Sequence, residues 1–308
     1  MKKGLCVSVG GSQGAYAGGI IESKINNGVV YDNLYGSSVG ALVIPFAAIG
    51  DVKSLKEVFT TSVTDDIYTT NPFKVLEQNN GMFRYTLHYY NIFKNLFIHK
   101  KPSLGNTRKL RNTLIPKFFP SEYKLGNKKL SIMVTNISTG ELEIKEYNDY
   151  TREEYMDWVW ASTCAPPFMS IAHLGDCYYM DGGILSQVPI RQAILDGCDD
   201  IDIIILSKEN HEWPIEHIRN FLHAQVKVLL LMMNKIQKTE LNMGYLTSIS
   251  KKKVRLNFHY TNRRLTNNSL IFDPEMMSKW WDEGYEYSEN NEQISFLING
   301  KKNSYKLI

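Results

Sequence analysis

The run Gly36-Ser37-Ser38-Val39-Gly40 sets a serine between glycines two positions away on either side. A serine hydroxyl is a weak nucleophile until its surroundings expose it and a base takes its proton. Flanking glycines allow a sharp strand-to-helix turn in which strand and helix approach closely. Such a turn projects Ser38 Oγ beside a helix N-terminus, whose free N–H groups favour developing negative charge. The base must come from elsewhere in the chain. Asp181-Gly182-Gly183 follows Tyr178-Tyr179-Met180 and precedes an apolar stretch, which sets an acid at a strand end beside a flexible turn. The chemistry open to this pair is nucleophilic attack on a carbonyl, with Asp181 as general base.

Two other readings of the pentapeptide are a plain Ser/Gly turn and a phosphate-gripping loop. A dinucleotide fingerprint needs GxGxxG, which the chain lacks, and the Walker-like spacing from Gly14 to Gly19 is followed by Ile20 where lysine is required. Nucleotide binding is therefore disfavoured. A Ser-His-Asp triad is the competing constellation. Seven histidines are present; His173 lies just before Asp181, and His211, His217 and His223 follow the last expected buried strand. In α/β-hydrolase order His211 or His223 would serve, but that fold places its elbow after several strands and Ser38 follows one. A Ser38–Asp181 dyad is favoured, and His173 reads as a structural residue. Cys6, Cys164, Cys177 and Cys198 form no CxxC pair, and HExxH is absent, so no metal site is argued and the thiols read as reduced and mostly buried.

The elements that must position these residues are short apolar runs separated by glycine turns. Residues 5–9 read as a strand, Gly10, Gly11 and Gly14 as a turn, and residues 15–24 as a helix; residues 29–35, 36–40 and 41–49 repeat that order. Two such units in succession predict a parallel sheet with crossover helices. Residues 130–135, 141–147 and 201–206 are further strands, the last with the unbroken apolar core of a buried parallel strand. Residues 214–246 read as helix, with Ile218, Phe221, Leu222, Val226 and Leu229 as a core-facing stripe.

Three segments together resemble the patatin-like phospholipase family: Val9-Gly10-Gly11-Ser12-Gln13-Gly14, Gly36-Ser37-Ser38-Val39-Gly40 and Asp181-Gly182-Gly183. Ala161-Ser162-Thr163-Cys164-Ala165-Pro166-Pro167-Phe168, Val188-Pro189, and Asn136 with Gly140 add to the similarity, which runs over residues 3–285. The resemblance implies a three-layer α/β/α fold with a mostly parallel sheet and a lipid acyl hydrolase that needs no cofactor and no catalytic histidine. Carried onto this chain, it makes Ser38 the nucleophile, Asp181 the base, and the backbone N–H groups of Gly10, Gly11 and Ser12 an oxyanion hole. Asp181 works best as a base where a partly apolar site raises its pKa toward neutrality. Two positions depart from the family loop: Val9 stands where a third glycine is usual, and Gln13 where Arg or Lys is usual. An anionic group could then be met by Lys3 or Arg191. The departures also motivate a reading as a catalytically weak lipid- or protein-binding module, and a soluble short-chain carboxylesterase is a third alternative.

The chain has 35 Lys+Arg against 32 Asp+Glu, with 43% hydrophobic and 22% charged residues, which excludes both disorder and a polyionic binder. The charge is unevenly spread. Residues 68–123 hold eleven aromatics, nine basic residues and two acids. That segment is expected to be a helical insertion within a single domain of residues 1–308. One reading makes it ordinary core with solvated lysines. The other makes it a cap whose basic, aromatic surface meets anionic lipid. No nucleic-acid motif accompanies it. The first residues lack a signal-peptide core, and no run reaches the length of a membrane span, so a cytoplasmic protein with peripheral membrane contact is expected.

Overall fold

The computed structural model describes residues 1–119, 123–209, 218, 220–251, 254–290 and 294–297. Its strands in chain order are β1 Lys3–Val7, β2 Asn33–Ser37, β3 Phe73–Asn79, β4 Met82–Leu87, β5 Lys129–Asn136, β6 Glu141–Glu146, β7 Ala172–Leu174, β8 Cys177–Asp181, β9 Asp200–Ile205, β10 Arg255–Tyr260 and β11 Ile294–Leu297. Nine of them make one sheet in the order β11-β10-β9-β1-β2-β5-β8-β7, with β6 also paired to β5. The run from β10 through β9, β1 and β2 to β5 is parallel. The strands β6, β7, β8 and β11 are added antiparallel.

Alternation along the central strands builds two cores. Leu5, Val7, Leu34 and Ile204 face one helical layer, while Cys6, Tyr35, Ile201, Ile203 and Ile205 face the other. Both faces are apolar, so β2 and β9 are buried at every position, as a sheet covered by helices on both sides requires. The first layer includes the helices Gly14–Asn26, Val39–Ile49 and Pro274–Asn290; the second includes Ile190–Leu195 and Phe221–Lys251. The fold is thus the three-layer α/β/α arrangement expected from the sequence. Cys6, Cys164 and Cys198 are buried free thiols, and Cys177 is half-buried. Among the described residues, no helix is long and apolar enough to cross a membrane.

Several elements differ from the sequence reading. β1 ends at Val7, and β2 begins only at Asn33, because Val29 N–H still caps the preceding helix at Lys24 O (3.0 Å) and Val30 faces solvent. The segment 68–123 is not wholly helical: β3 and β4 form a separate antiparallel hairpin. Its turn is Asn80-Gly81, with φ of 48° and 83°, the backbone twist that suits a two-residue hairpin. Short helices Tyr89–Phe93 and Ile115–Phe118 and π-helical turns Lys94–Ile98 and Leu110–Leu114 make up much of the rest. The stripe on the long helix is not core: Ile218 and Phe221 are exposed, and Leu222, Val226 and Leu229 are only half-buried. His211, His217 and residues 214–217 and 219 of the expected helix lie outside the described residues.

The helix Gly14–Asn26 crosses Pro274–Asn290 at glycines. A methyl at Gly19 would stand 2.0 Å from the Trp281 carbonyl oxygen, and one at Gly284 would stand 2.2 Å from that of Tyr16. Backbone cannot yield as a side-chain tip does. Gly19→Ala is therefore expected to cost about 1–3 kcal/mol, read as a lower melting temperature; unchanged melting would show that the two helices slide apart freely.

Candidate active site

Ser38 lies between β2 and the helix Val39–Ile49 with φ 56° and ψ −122°, in the left-handed half of backbone space that a residue with Cβ rarely enters. The neighbours make that conformation obligatory. A methyl at Gly36 would be 2.4 Å from the Gly40 carbonyl carbon, and one at Gly40 would be 2.3 Å from Val7 O, so helix, β2 and β1 meet at backbone contact. Ser38 N–H donates to Ser162 Oγ (3.1 Å), and Ser162 Oγ–H donates to Met133 O (2.7 Å). A serine closing the helix Arg152–Ser162, in the 161–168 run that adds to the family resemblance, thereby holds the turn.

Asp181 reaches the same point from the opposite direction. β6 takes one edge of β5 over residues 131–136, so β2, paired with residues 129–133, and β8, paired with 134–136, must share the other. Ser37 stands opposite Met133, and Asp181 stands opposite Val134. The two strands run toward each other and end side by side, which brings the Ser38 and Asp181 side chains together. Gly182 permits the approach, since a methyl there would be 2.1 Å from Met133 O.

The Asp181 backbone is fixed by its N–H to Cys164 O (3.0 Å) and by Thr135 Oγ1–H to its own carbonyl (2.9 Å). Its Oδ1 accepts from Gly183 N–H (2.7 Å). The residue is only 3% exposed. Burial pushes the carboxyl up to about 6, against the opposing pull of the Ser38 side chain and the Gly183 N–H. A carboxylate held there is charged at neutral pH yet close enough to neutrality to take a proton.

The glycine loop lies across from this pair. Gly11 has φ +55°, and a methyl there would be 2.2 Å from Ser269 O; one at Gly10 would be 2.5 Å from Leu206 Cδ1. The Ser12 N–H donates to Ser269 O (2.8 Å), so it is already committed and does not stand with Gly10 and Gly11 as expected. The departures at Val9 and Gln13 have places in the packing. Val9 Cγ1 fills the space where Gly183 lacks a side chain. Gln13, with its amide turned to match its neighbours, donates to Leu206 O (3.1 Å) and Gly10 O (3.3 Å), bracing the loop.

An apolar cavity opens beside Ser38, walled in part by Leu42, Phe59, Leu114, Met169, Leu270 and Phe272. Its free volume is about 40 Å³, room for a few waters, so an acyl chain must part the wall to enter. The wall draws on Leu110, Leu114 and Phe118 of the 68–123 segment and on Leu270 and Phe272, which carry no sequence signal. Among the described residues, no histidine lines the cavity or is among the groups that act on Asp181. His173 stacks on Tyr178 with ring centroids 4.5 Å apart. Lys3 does not serve the glycine loop; it stands at the far end of β1, paired with Asp200 (2.9 Å) and Asp202 (3.4 Å). Arg191 is exposed on the helix Ile190–Leu195.

The family model described as Patatin-like phospholipase matches residues 5–194, which span the glycine loop, the Ser38 turn and Asp181. The chain belongs to the patatin-like phospholipase family. A solved structure titled as that of VipD from Legionella pneumophila aligns at 15% identity with a TM-score of 0.49, covering 96% of this chain and 68% of that one; a likeness this loose carries no argument. No curated protein matches.

Two outcomes are expected of the site. The Asp181 carboxyl titrates higher when folded, near 6, than its ordinary value near 3.8. Its charge therefore costs folding free energy on the order of 3 kcal/mol above pH 6, a cost that fades as pH falls toward 4. Asp181→Asn should then melt above wild type at pH 8, the gap closing by pH 4; a variant less stable at pH 8 would contradict this. Ser162→Ala, which leaves the buried Ser38 N–H without its acceptor, should cost about 1–3 kcal/mol of stability, read as a lower melting temperature, and unchanged melting would dismiss that role.

Proposed function

We propose that the protein is a serine lipid acyl hydrolase that acts through Ser38 and Asp181. The observation that carries this reading is the meeting of a strained serine with a buried carboxyl held near 6. Family membership supports hydrolysis of lipid esters as the reaction class. In the first half-reaction Asp181 takes the hydroxyl proton as Ser38 Oγ attacks the ester carbonyl. The Gly10 and Gly11 N–H groups, with the amino ends of the adjoining helices, meet the developing oxyanion. Collapse expels the alcohol, which receives the proton from Asp181, and leaves an acyl-Ser38. Asp181 then deprotonates a water that attacks the acyl group, and the proton returns to Ser38 as the fatty acid leaves. A binding module has no use for a strained serine beside a raised carboxyl. The short-chain esterase alternative draws support from the narrow cavity, and acyl-chain preference separates it from a lipase.

We further propose that the substrate is met at an anionic membrane surface through residues 89–101. Tyr89, Tyr90, Phe93, Phe97 and Ile98 are all exposed there, and Phe93 packs against Phe97. Exposed Lys100 and Lys101 and half-exposed Lys94 flank them. Aromatic rings with lysines beside them suit the headgroup region of an anionic bilayer. Lys109 and Arg111, from the same basic segment, are engaged elsewhere: Lys109 pairs with Asp66 (3.7 Å), and Arg111 with Asp157 (2.5 Å). The tip connects to the cavity wall through Leu104 N–H to Pro167 O (2.9 Å), two residues before Met169.

The purified protein should release fatty acid from phospholipid vesicles, and Ser38→Ala should retain less than about 1% of that activity; turnover surviving the substitution would dismiss Ser38. The double variant Phe93→Glu/Phe97→Glu should lose sedimentation with phosphatidylglycerol vesicles while still cleaving a water-soluble short-chain ester. Undiminished sedimentation would remove this tip from the membrane.

A further inference from the structure

The acid and the glycine loop are joined by residues 182–188. Gly182 O accepts from Leu185 N–H (3.1 Å) and Ser186 N–H (2.8 Å), turning the chain directly after Asp181. The next three donors all end on one carboxylate. Ser186 Oγ–H reaches Glu240 Oε1 at 2.5 Å, and the Gln187 and Val188 N–H groups reach Oε2 at 2.5 and 2.8 Å. The Gln187 carbonyl then accepts from Val9 N–H (3.3 Å), the residue before Gly10. Residues 186–188 are therefore a strap with Asp181 at one end and the glycine loop against its middle, and Glu240 is its anchor.

Glu240 comes from the helix Phe221–Lys251, beyond the residues that the family model matches. Its carboxyl is partly buried, and among the described residues it is held by neutral hydrogen-bond donors. One turn later, a methyl at Gly244 would be 2.7 Å from Ile190 Cγ2, so the helix lies close on the element that follows the strap. Along its first turns the helix is half-buried or exposed, and Phe221, Leu231 and Met232 face solvent. Its seat on the molecule includes the contacts of Glu240 and Gly244 with residues 186–190 and the hydrogen bond from Ser207 Oγ to Gln237 Oε1 (3.3 Å).

We infer that Glu240 is a positioning residue for the hydrolysis: by holding the 186–188 strap it keeps Asp181 and the Gly10-Gly11 loop in one register, so the active site is assembled only while the long helix is docked. The inference rests on the Ser38–Asp181 reading for its catalytic consequence, but not for the strap itself. Glutamine can replace the carboxylate in this geometry, its carbonyl accepting both backbone N–H groups and its NH₂ donating to Ser186 Oγ. Alanine can do neither.

The test compares wild type with Glu240→Ala, Glu240→Gln and, on the same helix, Lys238→Ala. It uses turnover of a water-soluble short-chain ester and amide hydrogen exchange of the peptides covering 5–13 and 182–189. Glu240→Ala should lower kcat about tenfold or more with KM within about twofold, and both peptides should exchange about tenfold faster. Glu240→Gln should stay within about threefold of wild type in both readouts, and Lys238→Ala should match wild type. A wild-type kcat in Glu240→Ala, or a Gln variant as damaged as the Ala variant, overturns the inference. Should Glu240→Ala fail to fold, Ser186→Ala removes a single donor and must still lower kcat measurably with KM held, or the inference falls. Faster exchange in Glu240→Ala from a protein that cleaves no ester would leave the strap standing and remove the hydrolase reading instead.

Discussion

A β-strand has two edges, and β5 gives one of them to two strands at once. β2 occupies its first half and β8 its second, arriving from opposite directions, so the ends of both strands fall at adjacent positions, Met133 and Val134. Each strand end carries one member of the candidate pair, Ser38 beyond β2 and Asp181 closing β8. The glycines on either side follow from that meeting. Gly36, Gly40 and Gly182 each face backbone at a distance no Cβ tolerates, because three strands and a helix start must converge on a single point.

That convergence has two energetic consequences. Ser38 is held in a backbone conformation costing about 1–3 kcal/mol, and Asp181 is kept where its charge is poorly solvated. Neither would persist unless the surroundings fixed both residues. Ser162 and Met133 hold the serine turn, while Cys164, Thr135 and Gly183 hold the acid. In the proposed hydrolase, the burial that raises this carboxyl would also strengthen the Gly10 and Gly11 N–H groups toward an oxyanion.

What could be read from the sequence was local. The elbow glycines, the acid at a strand end and the apolar strands are patterns of a few consecutive residues, and the structure brings Ser38 and Asp181 to one point. The sequence reading makes this segment helical and misses the Asn80-Gly81 hairpin, although the dipeptide is a turn signal. Contacts between distant residues were not legible. Nothing near Ser12 marks its N–H as taken by Ser269, nothing near Arg111 shows its pairing with Asp157, and the Leu270 and Phe272 wall is set by a loop more than 200 residues from Ser38. The long helix misleads for a related reason: its apolar spacing is that of a core helix, but among the described residues no layer covers its first turns.

The central claim is that the carboxyl of Asp181 activates Ser38. The most direct measurement is the pH dependence of the rate at which a fluorophosphonate modifies Ser38, followed by mass of the labelled peptide. The account predicts a rate that falls on the acid side with a midpoint near pH 6, the value to which burial raises this carboxyl. In Asp181→Asn the rate should be low and without that inflection. A midpoint near pH 4, or a profile unaltered by the substitution, would contradict it.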